Sequence, residues 1–228
     1  MPVFYPITAI MDNAQNINAK IDKEFYKTES LTVEDIENHP DKWQLLHWKS
    51  IVSAVVRYDQ MAKYCKNFES FSIFEIGCGF GGFCEIHKDG FSKYVGIDNN
   101  PAFIRYANKT YGNVNDIAFF LDDALDFSIF QETYGNFDCT IVSGLFNNRG
   151  FPAWHPKFLT TFFNEMIKMS NMVFCNFPSA WCLKREPTFE YFSPSLVLDS
   201  ALSVTPNVVI EHNMMADCLV VLSNSKLI

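Results

Sequence analysis

A glycine-rich segment between Phe74 and Gly82 carries the clearest chemistry in this sequence. It reads FEIGCGFGG and lies between an apolar run that predicts a strand and a stretch of helical character. Glycines let a backbone turn tightly and approach a ligand closely, and the helix that follows presents unpaired N–H groups to an anionic or carboxylate-bearing ligand. The segment therefore predicts a cofactor-binding loop.

Acidic residues end the next two predicted strands. Asp98 closes the second strand, about 20 residues beyond the loop, and Asp122-Asp123 directly follow the third. The motif G-x-G-x-x-G is met by Gly77, Gly79 and Gly82. Asp98 then completes a dinucleotide fingerprint, in which an acidic residue accepts hydrogen bonds from ribose hydroxyls. Two cofactor classes therefore compete, a nicotinamide dinucleotide and S-adenosylmethionine.

Three features favour S-adenosylmethionine. Glu75 places an acid inside the end of the first strand, where dinucleotide-binding strands are normally apolar. Asp123, at the end of the third strand, can accept a hydrogen bond from an adenine amino group. A predicted hairpin at the carboxyl end of the chain fits a fold that binds S-adenosylmethionine and does not fit a dinucleotide-binding fold.

With these residues in place, the chain resembles the class I S-adenosylmethionine-dependent methyltransferases. Glu75–Gly81 is similar to their first motif, Asp98 to their second and Asp123-Ala124 to their third, and the resemblance covers roughly Ser72 to Leu222. It implies a Rossmann-like α/β fold with a seven-stranded, mostly parallel sheet, an antiparallel last strand and helices on both faces. The cofactor would lie across the carboxyl ends of the strands.

The resemblance also implies roles for single residues. Asp98 would hold the ribose, Asp123 the adenine, and Gly77 and Gly79 would admit the methionine portion, with Glu75 ordering the loop. Cys78, Asn99, Ala124 and Ser143 complete the implied cofactor-binding set. Two readings stay open for the acids, because Glu75 can be an exposed strand-end residue and Asp98 a turn or capping residue. An NAD-dependent oxidoreductase and a non-catalytic binding module stay open for the whole chain.

The methyl acceptor is expected beside the end of the fourth strand, since ligands of open α/β sheets lie outside the carboxyl ends of strands. The run from Ser143 to Asn147 lacks the Asn/Asp-Pro-Pro-aromatic signature of amide and adenine methylation, and it resembles bacterial small-molecule methyltransferases. We therefore expect a small or medium polar metabolite, methylated at oxygen. The predicted substrate-binding residues are Phe146, Asn147, Trp154 and Tyr191.

A general base is needed only if the acceptor has a proton to lose. His155 is the best placed histidine, in the loop after the fourth strand, although a surface loop histidine is the alternative. His47 is the second candidate. Arg57 and Arg149 are candidates for binding an anionic acceptor, with surface ion pairs as the alternative. No metal site is expected.

From about Ser72 onward, short apolar runs alternate with helix-like stretches, as is typical of an α/β fold with a parallel sheet. Asn100 and Ser193 are predicted helix N-caps. The predicted strands are Ser72–Ile76, Tyr94–Ile97, Ala118–Leu121, Cys139–Val142 and Met172–Phe177. The predicted helices are Gly82–Lys88, Pro101–Tyr111, Ser128–Tyr134, Pro156–Met169 and Pro194–Leu202.

The two ends of the chain follow other patterns. Lys42–Tyr64 has apolar residues at three- and four-residue steps and predicts one amphipathic helix. Asn207–Ile210 and Cys218–Leu222 predict the closing antiparallel hairpin. We expect residues 1–70 to be an N-terminal extension and helix that form a lid, with dimer contact as the alternative, and residues 71–228 to be the methyltransferase domain.

Composition limits the remaining possibilities. The 228 residues carry a net charge of −8 and are 48% hydrophobic, which predicts a buried core and argues against a surface that tracks nucleic-acid phosphates. Apolar runs stay well short of the roughly 20 residues that a membrane helix needs, so a cytoplasmic protein is expected. Seven scattered cysteines predict no disulfide framework, and Cys139, Cys175 and Cys218 are expected to be buried in strands.

Overall fold

A single sheet organises the molecule. The computed structural model describes residues 31–65, 69–87, 90–147, 155–187, 189–214 and 216–226, and within them seven strands pair in the order β3-β2-β1-β4-β5-β7-β6. Apolar side chains fill the central strands on both faces, as expected of strands that helices cover on each side. The strands are β1 Phe71–Ile76, β2 Phe91–Asp98, β3 Ile117–Leu121, β4 Phe137–Val142, β5 Ser170–Pro178, β6 Val208–Met214 and β7 Asp217–Ser223.

Strand direction confirms the predicted fold class. The pairs of β1 with β2 and β4, of β2 with β3, and of β4 with β5 are parallel, whereas β7 runs antiparallel to both β5 and β6. Six strands therefore share one direction and the last is inserted against them. The predicted hairpin is confirmed, and this insertion distinguishes the sheet from the dinucleotide-binding order 3-2-1-4-5-6.

Helices connect the strands and divide the core into two layers. One layer contains the leading segment, residues 31–65, and the helices after β1 and β2. The other layer contains the helices after β4 and β5. The helices are α1 Val33–Asn38, α2 Ile51–Ala62, α3 Gly82–His87, α4 Pro101–Tyr111, α5 Phe130–Tyr134, α6 Pro156–Met169 and α7 Pro194–Leu202. In the described ranges, three short 3-10 helices span Lys42–Leu46, Ala124–Ile129 and Leu145–Asn147.

Most predicted elements are confirmed with small changes of bounds, and α4, α6 and α7 match their predicted ranges. The Asn100 cap is confirmed, because its Oδ1 accepts from Ala102 N and Phe103 N. The Ser193 cap is wrong in one respect, since its side chain makes no capping hydrogen bond. Cys139, Cys175 and Cys218 are buried in their strands, as predicted.

The single leading helix is a wrong prediction. The 3-10 helix Lys42–Leu46 ends at His47, whose φ of 58° is left-handed, and α2 begins only after Ser50, whose backbone is extended. Tertiary packing overrides the helical period here, because Trp43 and Trp48 both turn into the core next to the glycine loop. The break places a tight corner over the sheet where a continuous helix would pass straight across it.

Two helical features differ from the prediction near the ends of other elements. Helix α1 is not among the predicted helices, yet Thr32 and Asp35 form a reciprocal capping box at its start, in the sequence pattern T-x-x-D. The predicted helix Ser128–Tyr134 is instead a 3-10 helix followed by α5, with a kink at Asp126. Residues 1–30 of the predicted lid lie outside the described residues.

Candidate functional site

The glycine loop lies at the carboxyl ends of β1 and β2. The N–H groups of Gly77 and Cys78 both donate to Ile97 O, at 2.9 and 3.0 Å, so the chain folds back over β2 as it leaves β1. Gly77, Gly79 and Gly81 have φ values of 74°, 56° and 82°, a region that favours glycine. Positive φ at alternate positions explains why this short stretch needs its glycines.

Asp98 closes the loop from the neighbouring strand. Its Oδ2 accepts from Gly79 N (2.9 Å) and its Oδ1 from Asn100 N (2.8 Å), so one carboxylate bridges the loop and the start of α4. Burial raises the pKa of this carboxyl, and the two N–H donors act in the opposite direction. The side chain is half-buried and Asn99 beside it is exposed. Asp98 thus serves as a turn residue and is also placed to meet a ligand at the sheet edge.

Glu75 is buried below the loop, which rules out the reading of an exposed strand-end acid. Its Oε1 accepts from the Tyr58 hydroxyl of α2 (2.8 Å) and its Oε2 from the Tyr94 hydroxyl of β2 (2.5 Å). Burial raises the pKa of Glu75 to about 8 despite these two donors. Glu75 therefore links helix α2 to strands β1 and β2 directly below the glycine loop.

The end of β3 forms the exposed side of the site. Asp123 is exposed and its Oδ1 accepts from Leu125 N (2.9 Å), so it begins the 3-10 helix Ala124–Ile129. Asp122 is held by the Tyr134 hydroxyl instead (2.5 Å). Phe120 and Leu121 expose about half of their side chains next to these acids, at 45% and 57%. Ala124 is half-buried against the core.

The leading segment covers the glycine loop. A Cβ atom built on Gly79 would lie 2.5 Å from Leu46 Cδ2, and one built on Gly82 would lie 2.8 Å from the Trp43 ring. Lys42 anchors this cover, because its Nζ lies 2.6 Å from Glu85 of α3 and 4.9 Å from the centre of the Phe80 ring. Gly79 and Cys78 are consequently buried, whereas Gly77 is half-exposed.

The turn after β4 contains two buried polar atoms of note. Within the described part of the chain, Ser143 Oγ and Asn147 Oδ1 are buried without a hydrogen-bond partner. Leu145 packs against the loop, with its Cδ1 3.5 Å from where a Cβ on Gly77 would stand. Buried polar atoms are normally paired, so these two mark a place where a ligand or water completes the structure.

Phe146 corrects a prediction. It was expected to line the acceptor pocket, but its side chain is fully buried and stacks on Phe177 at 4.5 Å between ring centres, with the planes 2° apart. The 3-10 helix turns it away from the crevice and into the layer beneath α6 and α7. Its role is therefore in the core.

His155, Tyr191 and His47 are predicted acceptor-side residues that lie in the described ranges. His155 is half-buried and caps α6, with its Nδ1 accepting from Lys157 N at 3.3 Å. The Tyr191 hydroxyl accepts from Glu186 N at 2.5 Å, and the Arg185 guanidinium lies 5.2 Å from its ring centre. Trp154 and Arg149 lie outside the described residues. His47 ends the first 3-10 helix.

A buried polar network at this edge was not predicted from the sequence. The Arg57 Nε and Nη2 atoms lie 2.7 Å from Asp217 Oδ2, which also accepts from Asn176 Nδ2 at 2.7 Å. Asn176 Oδ1 in turn accepts from Gly144 N at 3.0 Å. The available signal in the sequence was Asn176, a single amide side chain within the apolar run Met172–Phe177 of β5. Arg57 belongs to this buried network and is not in a surface ion pair.

The described ranges hold neither a metal-binding group of side chains nor a membrane-spanning helix. Among those residues, no three His, Cys, Asp or Glu side chains are grouped so that they could hold a metal ion. None of the helices in the described ranges has the length and apolar character needed to cross a membrane.

Residues 73–169 match the family model described as a methyltransferase domain. The matched range runs from β1 to the end of α6 and contains the glycine loop, Asp98, Asp123 and the turn after β4. The chain matches no curated protein sequence.

Solved structures with the same fold include enzymes with bound cofactor. The N-methyltransferase NodS from Bradyrhizobium japonicum, in complex with S-adenosyl-L-homocysteine, is 19% identical, with a TM-score of 0.58, and the match covers 85% of this chain and 97% of NodS. Magnesium protoporphyrin IX methyltransferase from Synechocystis, with bound SAH, is 11% identical, with a TM-score of 0.57 and coverage of 80% and 93%. At these identities the likeness establishes the fold.

Proposed function

We propose that this chain is a class I, S-adenosylmethionine-dependent enzyme that methylates a small or medium-sized polar metabolite at an oxygen atom, because residues 73–169 match the methyltransferase-domain family model. The observation that carries the proposal is the pair of buried, unpartnered atoms Ser143 Oγ and Asn147 Oδ1 at the end of β4. Asn147 Oδ1 can only accept, so the ligand that satisfies it brings an O–H or N–H donor. A hydroxyl is such a donor and is also a methyl acceptor.

The cofactor is proposed to lie across the ends of β1, β2 and β3. Asp98 is half-exposed beside the loop, where the ribose would lie, and the open Asp123 side chain would meet the adenine. Gly77 is the half-exposed glycine of the loop and would face the methionine portion, close to Ser143. Gly79 and Cys78 lie on the buried side of the loop, below Leu46, where their backbone would set the shape of the loop. Glu75, Asn99 and Ala124 support or border this surface.

Methyl transfer gains most from holding the acceptor on the axis of the methyl–sulfur bond. The β4 turn packs against the loop where Leu145 meets Gly77, so the cofactor and acceptor surfaces would adjoin each other there. Asn147 and Tyr191, with Trp154 as predicted from sequence, are proposed to orient the acceptor. His155, at the start of α6, is proposed to take the proton of a hydroxyl on its Nδ1, which would exchange the hydrogen bond from Lys157 N for one from the acceptor.

The acceptor proposal is tested with S-adenosylmethionine labelled in its methyl group and a panel of hydroxyl, carboxylate and amine metabolites. We expect label to enter hydroxyl compounds as products that resist alkaline hydrolysis, which separates methyl ethers from methyl esters. Label found only in amines would contradict O-methylation and leave methyl transfer intact. An Asn147→Leu variant should raise KM for the best acceptor, by about tenfold for one lost hydrogen bond, with unchanged S-adenosylhomocysteine affinity.

Replacing Asp98 with alanine should weaken S-adenosylhomocysteine binding by about one to two decades, because a charged acceptor is lost from the ribose hydroxyls. Isothermal titration calorimetry measures the effect. Asp98→Asn is the matched comparison, since it keeps the size of the side chain and one acceptor oxygen, and it should retain part of the affinity. Unchanged affinity in a folded Asp98→Ala protein would place the cofactor elsewhere.

We also propose that the leading segment acts as a lid over the cofactor. Lys49 is exposed in the connection between the first 3-10 helix and α2, directly after Trp48. Tryptic cleavage after Lys49 should slow when S-adenosylhomocysteine is added, while cleavage after the exposed Lys109 of α4 should not change. Equal protection at both sites would indicate a general gain of stability and not a lid.

A further inference from the structure

The buried network closes into a ring of contacts at the carboxyl edge of the sheet. From Gly144 N the hydrogen bonds run through Asn176 and Asp217 to Arg57 of α2. The Arg57 guanidinium lies 5.2 Å from the centre of the Trp48 ring, and a Cβ built on Gly144 would lie 3.2 Å from Trp48 Nε1. The ring therefore starts and ends at Gly144.

These contacts join parts of the chain that are far apart in sequence. Arg57 and Asp217 are separated by 160 residues, and Asn176 stands between them in β5. The members are shielded from water: Asn176 is fully buried, and the side chains of Arg57 and Asp217 are 14% and 5% exposed. Arg57 is fixed further by its Nη1, which donates to Ser53 O at 2.8 Å.

Stability alone does not explain a buried ion pair of this kind. Removing two charges from water costs free energy that their attraction barely repays, and well-packed apolar side chains in the same space are often as stable or more stable. What the ion pair supplies is direction, because a guanidinium and a carboxylate accept only a few relative orientations. Asn176, which donates to Asp217 and accepts from Gly144 N, connects the oriented ion pair to the Gly144 backbone.

The end point of the network is the turn that forms one wall of the crevice. Gly144 has a φ of 81° and lies between Ser143, whose Oγ is buried without a partner in the described chain, and Leu145, which packs on Gly77 of the glycine loop. A rotation of the Gly144 peptide would move both neighbours. Trp48, which completes the ring, also belongs to the segment that covers the loop.

We propose that Arg57 is a positioning residue for methyl transfer, acting through Asp217 and Asn176 to fix the Gly144 turn against the cofactor loop. The inference rests on the proposed function, since it assigns Ser143 and Leu145 to the cofactor side of the crevice. It gives the network a purpose beyond holding α2 to the sheet. A network that only holds the fold together and one that orients the turn respond differently when the ion pair is replaced.

The test compares a single with a double substitution. Arg57→Met leaves the Asp217 carboxylate buried and unpaired, and it should lower the melting temperature by about 10 °C and raise the S-adenosylhomocysteine Kd about tenfold. Arg57→Met/Asp217→Leu replaces the pair with apolar side chains and should recover most of the melting temperature. The Kd should stay about tenfold raised, because Asn176 has lost its anchor. Recovery of both quantities would overturn the proposal.

A second variant keeps the test decisive if the double variant does not fold. Asn176→Ala leaves Arg57 and Asp217 paired and cuts only the link to Gly144, and it should raise the Kd by a similar factor. The Gly144 amide, followed by NMR without any ligand, should exchange at least about tenfold faster than in wild type. An amide that stays equally protected would overturn the proposal, whatever the affinity.

Tyr64→Phe is the matched control. The Tyr64 hydroxyl donates to Glu211 Oε1 at 2.6 Å and so links the chain just after α2 to β6, as Arg57 links α2 to β7. This variant should leave both the Kd and the Gly144 amide unchanged. A wild-type protein that fails to bind S-adenosylhomocysteine would contradict the proposed function, and the amide measurement would still decide whether Arg57 and Asn176 hold the turn.

Discussion

A Glu75→Gln variant should be more stable than the wild-type protein at pH 8, and the advantage should shrink steadily as the pH is lowered to 5. The expected change in relative free energy of unfolding over this range is on the order of 3 kcal/mol. Urea unfolding of both proteins at several pH values measures it. Glutamine suits the site, because its amide can accept from Tyr58 and donate to Tyr94.

The sign follows from where the proton binds. Burial raises the pKa of Glu75 to about 8, against an ordinary value of 4.5, so between these values the folded protein holds a proton that the unfolded chain does not. Stability linked to this proton is fully present below the ordinary value and is lost as the pH rises through the folded one. Glutamine does not titrate and removes that loss.

Two comparisons isolate the buried carboxyl. Glu132→Gln changes an exposed glutamate of α5 in the same way and should leave the pH dependence as in wild type. Glu75→Ala should be destabilised at every pH, because it leaves the Tyr58 and Tyr94 hydroxyls buried without their partner. If wild type and Glu75→Gln lose stability in parallel between pH 5 and 8, the carboxyl is not the group that titrates.

Glu75 also shows where sequence reasoning succeeds. Its position two residues before Gly77 marked the end of β1, and the same local logic found Asp98 at the end of β2 and the Asn100 cap. These inferences depend on short-range rules: a strand ends in glycines, and an Asn before Pro caps a helix. The fold class followed because α/β alternation and a closing hairpin are also visible in successive segments.

The features that could not be predicted from the sequence depend on contacts between residues far apart in the chain. Nothing local to Arg57 indicates a partner 160 residues away, and only the three-dimensional sheet brings β5 and β7 beneath α2. The prediction for Phe146 was wrong for a related reason, because its ring packs on Phe162 and Phe177, which lie in elements further along the chain. The break at His47 is a third case, in which two tryptophans packing into the core outweigh a helical period.

Removing the imidazole of His155 should lower turnover by about two to four decades, the usual contribution of a positioned general base. A helix that connects two parallel strands begins at the edge where the first of them ends, so α6 brings His155 to the carboxyl edge beside the β4 turn. S-adenosylhomocysteine affinity should stay constant, because the residue is proposed to act on the acceptor. The assay uses the acceptor that gives the highest rate in the labelled-methyl panel.

The cap at the start of α6 makes the choice of substitution important. His155 Nδ1 accepts from Lys157 N, so an alanine variant loses the cap together with the imidazole. Loss of the cap alone costs about 0.5–2 kcal/mol of stability. His155→Asn keeps a good capping side chain and has no group that titrates.

Stability and turnover should therefore separate in the two variants. His155→Ala should lose both, whereas His155→Asn should unfold like wild type and still lose two to four decades of turnover. A His155→Asn enzyme with wild-type turnover would show that the histidine serves only to begin α6, and the proton of the acceptor would then leave to water or to another side chain. That outcome would remove the base from the mechanism while leaving the methyl transfer itself to positioning, which needs no proton acceptor at the moment the carbon–sulfur bond breaks.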